Sequence, residues 1–129
     1  MVVSRFLVPL IGLACLMGGC SSGKNELKKG DFVIIQEELR ERAETQWADS
    51  YTDGFTTEIP EGTKLEVLYT PAPAAQVFEC RPVEVNGKKN ADEVEAFFVP
   101  EHIRTKDGYR SYTFALKKEY LGTKVKKAD

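Results

Sequence analysis

Ile59-Pro60-Glu61-Gly62-Thr63-Lys64-Leu65-Glu66-Val67 is a turn that feeds an alternating strand. Pro and Gly two apart punctuate the chain. Beyond them Leu65 and Val67 alternate with Lys64 and Glu66, the period of a half-buried strand. The pattern runs through Leu68 and Tyr69 to Thr70 and stops at Pro71.

Similar runs lie on both sides. Asp31–Gln36 is a compact β-branched and aromatic run behind Gly30. Val77–Val85 alternates less cleanly, and Pro82 within it marks an edge or a bulge because proline has no N–H for the ladder. Glu93–Val99 reads as a strand that ends at Pro100. Arg110–Leu116 places Tyr112, Phe114 and Leu116 on one face. Asn86-Gly87 and Asp107-Gly108 are further turn signals. Glu37–Ala48 is ambiguous: Ile35, Leu39, Ala43 and Trp47 recur at steps of four, and Glu38 and Arg42 fit a helical pair. Ile34-Ile35 runs into it without a cap, which favours strand and loop over a short helix. Several short strands with such turns predict a mainly β fold, an antiparallel barrel or sandwich.

The 59–67 segment resembles the turn and second strand of SH3-like barrels, and Tyr120-Leu121 is similar to the way such barrels close. The resemblance covers most of residues 30–122 in order of elements. It implies a small antiparallel SH3-like barrel, with any short helix confined to a long first loop.

The N-terminus has a different character. Met1–Arg5 carries one charge, Arg5, and an apolar run extends from Phe6 to Met17. As a helix that run would span only ~18 Å, against a hydrocarbon core of ~30 Å. It has the length of a signal-peptide core. Leu16-Met17-Gly18-Gly19-Cys20 then resembles the lipobox of bacterial lipoproteins: an aliphatic residue, two small residues, then Cys. Met17 stands where that family most often has Leu. The resemblance implies cleavage before Cys20 and acylation of Cys20; with no phosphate-loop or metal motif in the chain, no cofactor is expected. Ser21 after the Cys implies the periplasmic face of the outer membrane in a Gram-negative host. The resulting organisation is a signal peptide over 1–19, a tether over 20–29, a β domain over 30–122 and a basic, frayed tail over 123–129.

Composition excludes several functions. The chain has 129 residues, 18 Lys and Arg against 20 Asp and Glu, and a formal charge of −2, which is no footprint of a nucleic-acid binder. Three Cys and one His allow neither a disulfide framework nor a metal cluster. Cys80 lies in a strand-like run and reads as a small buried hydrophobe. Its sharper role, a nucleophile, needs His102 as base. Asp49–Gly54 lacks the spacing and closing Glu of a calcium loop, and no phosphate loop or nucleophile elbow occurs. These residues suggest no enzyme. The candidate contact residues are Trp47, Tyr51 and Phe55, aromatics at steps of four in a polar segment. They read either as recognition anchors or as side chains folded back over the core. Lys117, Lys118, Lys124, Lys126 and Lys127 could meet anionic headgroups. The combined expectation is a lipid-anchored envelope module that binds an envelope protein or cell-wall component. The alternative is a periplasmic enzyme inhibitor or small hydrolase-like enzyme.

Overall fold

The structure, a computed structural model, describes residues 26–49 and 52–128. The signal segment, Cys20 and Tyr51 lie outside the described residues. The elements are β1 (Phe32–Ile35), β2 (Leu39–Trp47), β3 (Thr52–Ile59), β4 (Lys64–Val67), β5 (Val77–Glu84), α1 (Ala91–Phe98), α2 (Glu101–Arg104), β6 (Tyr109–Lys117), a 3-10 turn (Lys118–Tyr120) and β7 (Val125–Lys127).

Two bent arms organise the sheet. The paired residues run from Phe32↔Glu66 through Leu39↔Ile59 to Gln46↔Thr52 in one register. Each step along β1 and β2 is one step back along β4 and β3. The arms are therefore a single long hairpin, interrupted where Gln36–Glu38 face Pro60–Gly62. Backbone bonds hold this corner: Gly62 N–H donates to the Ile35 carbonyl at 2.7 Å, and Ile35 N–H to that of Thr63 at 2.9 Å. Gly62 sits at φ +89°, where a side chain is strained. Parity survives the bend. Val33, Ile35, Leu39 and Ala43 on one arm, and Ile59, Leu65 and Val67 on the other, all turn inward and are buried.

The two halves of the hairpin then take different neighbours. β2 pairs with β6, β4 with β5, and β5 with β6, all antiparallel. β7 pairs along the outer side of β1. The order is β3-β2-β6-β5-β4-β1-β7. The mainly β class stands, but the sheet is open. Its edges β3 and β7 do not meet, so it is not the closed SH3-like barrel that the 59–67 resemblance implied.

Other elements differ from expectation. Glu93–Val99 belongs to helix α1 and the turn after it, not to a strand. The Asn90 side chain caps α1 by accepting from Asp92 and Glu93 N–H, and Asp92 and Glu93 suit the positive end of the helix dipole. Val94 and Phe98, four apart, are its buried stripe. Phe98 meets Phe114 edge-on at 5.8 Å. Helix α1 touches both β5 and β3, strands separated by two others, so the sheet curls beneath it. Glu37–Ala48 is mostly strand, and among the described residues no helix lies in the first loop. The β4 strand stops at Val67, leaving Tyr69 61% exposed. Both ends of the domain reach further than residues 30–122. Leu27 packs in the core, and Val125 of the supposed tail is buried as β7 pairs with β1.

Gly54 lies in β3 opposite Glu44. A Cβ there would fall 2.5 Å from the Ala43 carbonyl oxygen. Gly54→Ala will therefore destabilise the fold by ~1–3 kcal/mol through overpacking, while exposed Thr56→Ala on the same strand will cost under ~0.5 kcal/mol. Phe98→Ala will cost ~3–5 kcal/mol. Urea unfolding of the three variants checks the ranking; a Gly54→Ala midpoint equal to wild type would contradict it.

Candidate functional site

Pro82 shapes a cleft on one face of the sheet. The β5–β6 register runs from Val77↔Lys117 to Cys80↔Phe114 and ends there. Pro82 has no N–H for a further rung, and the β4–β5 register slips between Lys64 and Leu65, at Pro82–Glu84. The bulge inferred from Pro82 is thus present. Past Cys80 the Tyr112 carbonyl accepts from Arg81 Nε at 3.0 Å. A cleft of about 360 Å³ opens between this region and the start of α1, lined by Glu66, Arg81, Lys89, Asp92, Glu95 and Tyr112 among others.

The cleft is polar and mixed in charge. Tyr109 Oη donates to Glu95 Oε2 at 2.7 Å, which ties β6 to α1 beside it. Burial, then the Glu95 carboxylate, pushes the Tyr109 phenol well above its usual range. Burial does the same for Tyr112. Among the described residues the ion pairs are Arg40–Glu58 and Lys127–Asp31, so neither Arg81 nor Lys89 is neutralised by one. The Nε bond fixes the Arg81 guanidinium while leaving its terminal nitrogens for a planar acceptor such as a carboxylate.

The aromatic candidates do not form an exposed row. Trp47 and Phe55 are each only 9% exposed. The Trp47 indole N–H donates to Thr45 Oγ1 at 2.8 Å, and its ring meets Tyr109 edge-on. Phe55 packs toward Tyr112 with ring centres 6.4 Å apart. Both read as folded-back core members, and Tyr51 lies outside the described residues. Cys80 is fully buried. Burial raises its thiol well above the usual range, and Sγ lies 3.7 Å from the Phe114 carbonyl oxygen. His102 is exposed on α2, so the structure does not assemble a Cys80–His102 dyad. Among the described residues no group of three His, Cys, Asp or Glu could hold a metal, and no helix is long and apolar enough to cross a membrane.

Arg81, Glu95 and Tyr109 were not singled out from the sequence. Pro82 in a strand-like run was the available signal, since a missing rung in a central strand leaves a neighbouring carbonyl to be satisfied otherwise. No family model, curated protein or solved structure matches the chain.

The tyrosines set an alkaline limit. Both keep their protons in the folded state above the unfolded value of ~10, so their contribution is complete below that pH and is lost as pH rises through and beyond it. Urea unfolding at about pH 8 and about pH 11 will show a larger loss for wild type than for Tyr109→Phe/Tyr112→Phe. Equal losses would assign alkaline instability to other groups.

Proposed function

We propose that this protein is a lipid-anchored, non-catalytic binding module of the bacterial envelope that holds its ligand in the cleft beside Arg81. The observation that carries the anchor is Leu16-Met17-Gly18-Gly19-Cys20 followed so soon by the domain: Leu27 is already in the core. The ligand is an envelope protein or cell-wall component that offers a carboxylate to Arg81. Support comes from a guanidinium oriented by a backbone carbonyl, without an ion-pair partner, in a polar cleft. A binding role rather than catalysis is supported by the burial of Cys80 in the core while His102 lies exposed on α2.

Metabolic labelling with palmitate tests the anchor. Wild-type protein will carry label and Cys20→Ala will not; label persisting on Cys20→Ala would refute the assignment. For the cleft, the mature chain will retain a defined envelope component that Arg81→Ala releases at least tenfold more readily, as loss of a charged bidentate contact predicts (~1.4 kcal/mol or more). Unfolding midpoints within ~0.5 kcal/mol of each other would exclude a folding defect. Identical retention by Arg81→Ala would remove the cleft from the proposal.

A further inference from the structure

The described chain begins at one end of the sheet. Leu27 is buried, Lys28 N–H donates to Asp31 Oδ2 at 2.8 Å, and Gly30 N–H donates to the Val67 carbonyl at 2.9 Å. The last strand finishes at the same end, where Ala128 N–H donates to the Phe32 carbonyl. Lysines converge there. Lys127 Nζ reaches the Glu26 carbonyl at 3.3 Å, and Lys118 Nζ donates to the Ala72 carbonyl at 2.8 Å. Lys118, Lys28, Thr70 and Pro71 line one shallow recess with Glu26. Lys29, whose N–H lies 3.4 Å from Thr70 Oγ1, stands beside it. Lys118 is held by a neutral carbonyl, so its charge is not cancelled there. Asp31 pairs with Lys127 at 3.5 Å and Glu26 lines the recess, while the whole chain is net acidic at −2. Next to Thr70, Tyr69 is the most exposed large hydrophobic among the described residues. A tyrosine flanked by lysines is the side-chain chemistry of a membrane interface.

We infer that this end of the domain, with Lys28, Lys29, Lys118, Lys127 and Tyr69, docks on the anionic headgroups of the membrane that holds the anchor. The inference rests on the anchor proposed above for its second support, the length of the tether. From Cys20 to Glu26 an extended chain reaches at most about 20 Å. A domain on that leash keeps its exit end near the headgroups, where attraction acts within about a Debye length, ~8 Å at physiological salt.

The test uses an unacylated chain starting at residue 20 with Cys20→Ser, since residues from Leu27 to Val125 share one core. Sedimentation with phosphatidylcholine vesicles is compared with vesicles containing roughly 30% phosphatidylglycerol. Binding will require the anionic lipid and will vanish in about 0.5 M salt. Lys28→Gln/Lys118→Gln will weaken it about 25-fold, at about fivefold per lysine. Lys88→Gln/Arg110→Gln, with the same charge change elsewhere, will weaken it less than threefold. Equal binding to both vesicles, or equal losses in the two double variants, would overturn the docking surface. The palmitate experiment separates the two ideas. Label on Cys20 without lysine-dependent binding leaves the anchor and refutes the docking; lysine-dependent binding without label supports the docking surface and refutes the anchor.

Discussion

The unbroken register of the hairpin from Phe32 to Val67 is the constraint on which the other packing depends. A strand that bends without losing register keeps its inward residues inward, because a slip of one residue would turn every side chain over. At the corner, reciprocal backbone bonds between Ile35 and the Gly62–Thr63 pair hold the two arms together. Leu39 and Ile59 beyond the bend therefore face the same core as Val33 and Leu65 before it. One hairpin supplies two walls. β5 and β6 bridge them, since β5 takes the free side of β4 and β6 that of β2. The domain thus encloses its core without closing its sheet, and α1 lies over β5 and β3 with Val94 and Phe98 turned inward.

Legibility in the sequence follows from how many physical signals agree. At Lys64–Val67 alternation, turn and β propensity coincide, and the strand stands where it was read. At Leu39–Trp47 a step of four serves both periods, because it is close to one helical turn and is also two strand repeats. The lack of a cap decided correctly for strand. At Glu93–Val99 the apolar pair Phe97-Phe98 imitated a buried strand. The informative signals were upstream, in Asn90 followed by Asp92 and Glu93, which satisfy and polarise a helix start. The strand β3 was missed because Asp49–Gly54, weighed as a calcium loop, interrupts its pattern with a glycine. Gly54 is there for the close approach to the Ala43 carbonyl, a long-range demand that no local pattern displays.

The candidate site was less legible for a related reason. Its residues are unremarkable singly: an arginine, a glutamate and a tyrosine from three elements. What joins them is a defect in the ladder, a missing N–H at Pro82 that ends the β5–β6 pairing and leaves the Tyr112 carbonyl to Arg81. The aromatic residues that looked more like a site, Trp47 and Phe55, are spent on the core, as a small domain with limited apolar area requires.

The cleft and the lysine-rich end occupy different positions along β6. That strand carries Tyr112 at the cleft and leads through Lys117 to Lys118 at the exit end. At ~3.3 Å per residue, the six steps from Tyr112 to Lys118 cover about 20 Å if extended. Across the sheet the two lie close: Glu66 of the cleft lining pairs with Phe32, whose carbonyl accepts from Ala128 N–H at the exit end. The ladder defect at Pro82 thus opens the cleft on β5 and β6, while β6 itself continues unbroken toward the lysine-rich end.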